Sequence, residues 1–335
     1  MANCLVIGGN GFIGANLCTA LANSGHQVLA FDRFSRGIHA VSHPNVGSFI
    51  GDFMSRSDLA AALKDQDYVF HFLSTTTPIT AESEPSLDLR TNVSQTVDLL
   101  ELCVAANIKR FYYSSSGGAI YGPQGRSLYA ESNSTLPVSP YGIGKLTIEN
   151  YLRYFRVRHG LDSISLRISN PYGAGQSIEK RQGIIPIVLH QVASGGPISR
   201  LGDGTMIRDY LFIDDLVRMI LLLVDRRPQY DVYNLGSGQG SSVNTIFDSI
   251  RRVTGVDFVT RDLPKPSTFV DHVVLDMTRF TTEFGKPNLT TLDAGVNSVW
   301  DLVREQTGQT SSTHSANEVL LPQPRPDSFS TSMSG

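Results

Sequence analysis

Three glycines at three-residue intervals, directly behind a short apolar run, do most to limit how this chain can fold. The stretch CLVIGGNGFIG places Gly8, Gly11 and Gly14 between a strand pattern and a helix pattern that runs to about Ser24. A strand turning this tightly into a helix needs a small residue at the turn, another where backbone meets a ligand, and another where helix and strand pack together. The start of the helix then offers unpaired N–H groups and the positive end of its dipole, which suits a pyrophosphate. Phe12 and Ile13 fall inside this turn, and Asp32 ends the next apolar run, QVLAFD. A carboxylate at that distance would accept hydrogen bonds from a ribose and repel a 2′-phosphate. NAD is therefore expected over NADP, although Arg33 and Arg36 close behind weaken the preference, because arginine can accept a phosphate.

Strand and helix patterns then alternate. A helix is expected near 57–64, followed by the strand DYVFHFL, a long helix over about 86–106, the strand RFYYSSS, a helix from Pro140 and the strand SISLRISN. Such alternation implies an α/β fold with a doubly wound parallel sheet. At 335 residues the chain is long enough for a second, smaller lobe. The boundaries read as 1–168 for a nucleotide-binding domain with return segments near 206–237, 169–205 and 238–310 for a substrate-binding lobe, and 311–335 for a Ser/Pro-rich tail of disordered composition.

A net charge of −3 and the lack of a long basic run argue against a nucleic-acid partner. The longest apolar stretch, MILLLV, is too short to cross a bilayer. No leader pattern precedes the first strand, and Cys4, Cys18 and Cys103 form no pairing pattern, so a cytoplasmic protein with buried thiols is expected. The eight histidines show no metal-ligand spacing, and His71, within YVFHF, reads as a core residue.

The segment SPYGIGK at 139–145 is the second informative feature. Ser139 suits an N-cap and Pro140 the first helical position. Tyr141 and Lys145 would then project from one helix face, one turn apart. Taken alone, this fits a solvated helix start as well as a reactive pair.

Together with SSSGGAIYG, LRISNPYGAGQ, GDGTMIRDYLFIDDL and YNLGSGQGSSV, these motifs make residues 3–305 resemble the extended short-chain dehydrogenase/reductase family, and within it the nucleotide-sugar epimerases of the UDP-glucose 4-epimerase type. The resemblance implies a Rossmann-type domain that binds NAD. It matches Tyr141 to the family's catalytic base, and Lys145 to the lysine that holds the nicotinamide ribose and lowers the tyrosine pKa. Ser116 takes the place of the serine that hydrogen-bonds the reacting hydroxyl, with Ser115 as competitor because GGAIYG has one residue more than the common pattern. Asp52 matches an adenine contact with Phe53 beside it. Phe72, Leu73 and Ser74, together with Asn92, Ser114 and Ser169, are implied to lie along the cofactor.

For the substrate, a UDP-sugar, the resemblance implies contacts from Asn170, Gly183, Ile184, Arg208 and Tyr210. Read from the residues alone, Arg208 could instead pair with Asp209 or Asp214. Two departures stand out: Gly183 replaces an Asn, and Lys265 stands for an arginine. Lysine binds phosphate as a point charge, without the bidentate fork. Val273 aligns with a position where a bulky Tyr blocks N-acetylated sugars, so room for a 2-acetamido group is expected. Gly118–Ala119 replace the acidic pair of the 4,6-dehydratases, and the loop also lacks the glutamate of the UDP-xylose-forming decarboxylases. A 4-epimerase is the expectation, with a keto-sugar reductase as its rival and a non-catalytic dinucleotide sensor as the alternative outside enzymology. Relatives imply a homodimer formed through helices at about 86–106 and 140–159.

Overall fold

The computed structural model describes residues 1–34, 43–178, 183–265 and 270–310; Arg36 and the Ser/Pro-rich tail lie outside them. The first strand, β1 (Asn3–Ile7), delivers the chain through the glycine turn to α1 (Phe12–Asn23), and β2 (Gln27–Asp32) follows. Next come β3 (Val46–Ile50), α2 (Arg56–Ala62) and β4 (Tyr68–His71). After α3 (Pro78–Ser83), the segment expected as one long helix is three pieces: α4 (Pro85–Asp88), a π-helical turn over Leu89–Ser94, and α5 (Gln95–Ala105). Then follow β5 (Arg110–Ser116), the single turn α6 (Gly117–Ile120), α7 (Pro140–His159) and β6 (Ser163–Ile168).

The second half holds β7 (Asn170–Tyr172), α8 (Ile184–Ser194), β8 (Ile198–Leu201), β9 (Ile207–Phe212), α9 (Ile213–Asp225) and β10 (Val232–Leu235). It ends with β11 (Gly240–Ser242), α10 (Val243–Thr254), β12 (Thr260–Leu263), β13 (His272–Val273), α11 (Thr278–Phe284) and α12 (Leu292–Thr310).

Seven strands form one parallel sheet in the order β10-β6-β5-β4-β1-β2-β3. The order reverses direction at β1, which places the glycine turn at the crevice where ligands of such sheets bind. Strand β3 carried no sequence signal, because VGSFI sits half exposed at the sheet edge and lacks the apolar run of the inner strands. One face is covered by α1 and α9 through Leu17, Leu21, Leu216, Ile220 and Leu223. The other is covered by α2, α5 and α7 through Leu59, Leu99, Ile148, Leu152 and Phe155. Each such side chain stabilises the fold by about 1.5–3 kcal/mol when fully buried.

A third apolar cluster joins α8, α10 and α12 through Val188, Leu189, Ile246, Phe247, Val296 and Val299. Beside it, β9 pairs with β11 antiparallel and with β7 and β13 parallel, and β8 pairs with β12. Of the return segments, α9 and β10 rejoin the main sheet, whereas β9 belongs to the smaller one. Cys4, Cys18 and Cys103 are free and buried, and burial pushes the Cys4 and Cys18 thiols up to about 12. His71 is a core residue: Nε2 pairs with Thr96 Oγ1 at 3.0 Å, the ring stacks on Phe53 at 5.1 Å, and burial pulls its pKa down to about 3.

Candidate active site

The glycine turn is shaped by backbone packed on backbone. Gly8 has φ +86°, and a Cβ there would meet Leu73 N at 2.8 Å; one on Gly14 would collide with the carbonyl of Gly8. Gly9, which the three-glycine pattern did not single out, is equally constrained, since its Cβ would lie 2.7 Å from that of Ala30. Gly11 caps α1 without a side-chain hydrogen bond, so the N–H groups around Phe12 and Ile13 open the helix as they would for an anion. Asp32 ends β2 beside this turn, where its carboxylate accepts from Asn10 N at 3.2 Å and from Arg33 N at 2.8 Å. These residues fit the pyrophosphate and ribose of a dinucleotide.

Around this cradle the expected contacts divide. Leu73 flanks the turn at Gly8, and Ser74 Oγ donates to Thr76 O at 2.8 Å. The Phe72 side chain packs instead into the core under α1 and α9. Asp52 closes a local turn by accepting from Met54 N at 2.9 Å. Phe53 is 3 % exposed and stacked on His71, so its side chain belongs to the core and not to a cofactor surface. Asn92 is also committed: it accepts from Thr75 N at 2.9 Å and donates to Thr76 Oγ1 and Asp88 Oδ1 at 2.9 and 2.8 Å. It ties the loop after β4 to the π-helical turn, and its side chain works as a staple.

Ser139 caps α7 by accepting from Gly142 N at 3.2 Å, with Pro140 at the first position. Helical spacing then puts Tyr141, Lys145 and Glu149 on one face over the end of β5. Lys145 is buried and donates to the carbonyl of Ser114 at 2.7 Å; its Nζ lies 5.5 Å from the centre of the Tyr141 ring. Ser116, at the end of β5, lies close enough to Tyr141 to act against the rise in its pKa. Ser115 points the other way, as strand alternation requires, and donates to Glu149 Oε1 at 2.5 Å within a buried pair between Glu149 and Arg167. The two serines are thereby told apart: Ser116 joins the tyrosine, and Ser115 the ion pair.

The expected lowering of the tyrosine pKa is not found. Burial, reinforced by the negative charge of Asp88, pushes Tyr141 up to about 12, with only Ser116 acting against it. Burial also lowers Lys145 to about 8, although Asp88 and Glu149 oppose this. In this protein by itself, desolvation outweighs the help a lysine gives a tyrosinate.

On the substrate side, Asn170 in β7 donates to Asp209 O at 3.1 Å, and its amide lies 3.9 Å from where a Cβ on Gly118 would stand. Arg208 and Tyr210 alternate with Asp209 along β9 and so share one face. Asp209 turns away and accepts from Ser237 N, Gly238 N and Leu275 N at 2.7, 3.2 and 3.2 Å. Arg208 donates only to Ile207 O and Met206 Sδ, and among the described residues it has no carboxylate partner. A half-buried guanidinium without a counter-ion is suited to an arriving phosphate. Tyr210 beside it is raised to about 12 by burial. Gly183 precedes α8 with φ +86°, a backbone conformation that an Asn would adopt less readily than glycine; Ile184 packs into the third cluster.

Two of the expected contacts are otherwise engaged in this structure. Val273 is 2 % exposed and packs against Ile120, Tyr121, Tyr129 and Leu275. It shares the face of its register partner Arg208, but this packing covers it, so it presents almost no surface to a sugar. Lys265 is ion-paired with Asp271 and partly exposed, so its charge is already matched.

Residues 4–236 match the NAD dependent epimerase/dehydratase family, and the chain belongs to that family. It is 32% identical over 267 residues to a UDP-glucose 4-epimerase of Streptomyces lividans, covering 75% of this chain and 80% of the relative. It is 28% identical over 310 residues to a dTDP-4-dehydro-6-deoxyglucose reductase of Escherichia coli, covering 90% and 97%. The crystal structure of a UDP-glucose 4-epimerase with UDP-glucose from Thermotoga maritima superposes with a TM-score of 0.86 at 30% identity, over 91% of this chain and 99% of that one.

Proposed function

We propose that the protein is an NAD-dependent nucleotide-sugar 4-epimerase that acts on UDP-glucose or UDP-N-acetylglucosamine-type substrates. The observation that carries this reading is the grouping of Ser116, Tyr141 and Lys145 at the end of β5, beside a turn, Gly117–Ile120, that holds no acid. An elimination of water needs an acid there, whereas an epimerisation needs only a reversible base.

Ser116 orients the C4 hydroxyl of the sugar, and Tyr141 takes its proton as the 4-keto sugar forms. Once the keto sugar has turned over, so that the hydride would return to the other face of C4, Tyr141 gives the proton back to the C4 oxygen. Lys145, anchored on Ser114 O, holds the nicotinamide ribose and keeps positive charge near the phenol. Bound at Gly8, Gly11 and Gly14, NAD+ supplies the hydride acceptor and a further positive charge that favours the tyrosinate. Arg208, which has no carboxylate partner among the described residues, takes the diphosphate with Tyr210 at its side, and Asn170 meets the nucleotide sugar. General acid–base catalysis of this kind is worth about 10²–10⁴-fold, and positioning accounts for much of the rest.

The same reading assigns 1–168, with the returning α9 and β10, to the cofactor and 169–205 with 238–310 to the substrate. Ile143, Tyr151, Tyr154 and Val157 on the outer face of α7 are exposed, which supports a homodimer formed there and through α5. None of the helices among the described residues is long and apolar enough to cross a membrane, and three buried free thiols suit the cytoplasm.

The test is to incubate the purified protein, with no cofactor added, with UDP-glucose and separately with UDP-N-acetylglucosamine, and to follow the anomeric protons by NMR. A galacto-configured product is expected. No product from either, but turnover of a 4-keto sugar on adding NADH, would replace the epimerase with a reductase like the Escherichia coli relative.

A further inference from the structure

The proposed reaction leaves one buried acid beside the site without a part. Asp88, the last residue of α4, is 3 % exposed. Its Oδ1 accepts from Thr76 Oγ1 at 2.5 Å and from Asn92 Nδ2 at 2.8 Å. Its Oδ2 faces α7, where a Cβ on Gly144 would collide with it. Glycine at 144 is therefore what admits this acid beside the turn that carries Lys145. Asp88, Gly144, Tyr141 and Lys145 line one small internal cavity with His71, Leu73, Asn92, Tyr113 and Ile148.

The titratable groups around this space are His71 from β4, Tyr113 from β5, Asp88, and Tyr141, Lys145 and Glu149 from α7. Glu149 is already bound by Arg167 and Ser115, and burial keeps His71 neutral. Among the described residues, that leaves Asp88 as the acid facing Lys145 without a cation of its own.

We propose that Asp88 is a positioning residue for the Tyr141–Lys145 pair, its side chain fixing the charge of Lys145 and the pH at which Tyr141 changes protonation. This rests on Tyr141 being the base of the proposed reaction. Burial alone favours the neutral amine, and Asp88 is the strongest influence acting against it. The same charge acts with burial to hold the proton on Tyr141. The site thus keeps a charged lysine beneath a protonated phenol until something positive arrives.

The test uses the full chain with ¹³Cε-labelled lysine, assigned through Lys145→Arg, and follows the Lys145 resonance against pH. The wild type should titrate near pH 8, and Asp88→Asn should move the midpoint down by about one pH unit. The amide can still accept from Thr76 and Asn92, so the packing is kept. An unmoved midpoint in a folded variant overturns the proposal. With UDP-glucose, the acidic limb of kcat should shift to lower pH in Asp88→Asn while KM stays put. A uniform loss of kcat with no shift would reduce Asp88 to a structural part and overturn it as well. If the wild type epimerises nothing, the lysine titration still decides the matter and the functional reading falls alone. Should Asp88→Asn not fold, the double variant Asp88→Ala/Gly144→Ala carries the titration. There, Gly144→Ala should lower Tm markedly in the wild type and little in the Asp88→Ala background; equal losses in both would sink the contact.

Discussion

The cofactor end and the substrate end of this molecule obey different rules. At the cofactor end the constraint is backbone against backbone: Gly8, Gly9 and Gly14 approach Leu73, Ala30 and one another so closely that a Cβ has no room. At the substrate end the candidate contacts are side chains, and they arrive from β7, β9 and the start of α8. Sterics of the first kind are local and leave a fixed spacing in the sequence. Assembly of the second kind depends on register between distant strands, where a slip of one residue sends a side chain to the other face.

Several substitutions would break or sharpen this contrast. The largest effect is expected from Gly14→Ala, which forces α1 off the turn, costs about 1–3 kcal/mol and should abolish dinucleotide binding. Differential scanning calorimetry and the absorbance at 260 nm after denaturation would check it, and retained cofactor would mean the turn has more give than its geometry allows. Arg208→Ala should come next, raising KM for the UDP-sugar by about 10–100-fold, the worth of a charge-assisted hydrogen bond of 1.5–3 kcal/mol, while NAD stays bound. Arg208→Lys should recover part of this, and a pure kcat effect would remove Arg208 from ground-state binding. Val273→Tyr divides the sequence expectation from the structure. Over-packing at this buried site should cost about 1–3 kcal/mol and leave the ratio of UDP-N-acetylglucosamine to UDP-glucose turnover unchanged; selective loss of the acetylated sugar would put Val273 back against the substrate. Lys265→Ala should do least, since an exposed pair with Asp271 is worth about 0–1 kcal/mol, and steady-state kinetics should show KM close to the wild type.

Much of the fold was readable because inner strands such as LVI and VFH are buried on both faces and stand out as apolar runs. The edge strand β3 was not, since its side chains are half exposed and carry no such mark. Tyr141 and Lys145 were legible from their spacing behind a Ser-Pro cap, but whether Ser115 or Ser116 reaches the tyrosine was decided by the pleat of β5. Asp88 was invisible as a lone acid in an apparent helix. Its signal lay elsewhere, in Gly144: glycine inside a helix costs roughly 1 kcal/mol against alanine, and one so placed marks a close approach. In the protein by itself burial holds the Tyr141 pKa high, and burial is not written in a motif.

The π-helical turn at Leu89–Ser94 sets the rotational phase between α4 and α5. A wider turn of this kind accommodates one residue more than an α-helix does. Deleting a single residue there, Arg90 for example, would close the wide turn into α-helix with the phase nearly kept, whereas inserting one would swing everything upstream by roughly 100° about the axis. Asp88 would leave the side of α7 while α5 kept its seat on the sheet. Insertions in this short stretch should therefore be tolerated far less than changes of residue, and a loop graft or homologous recombination across it must not add to its count.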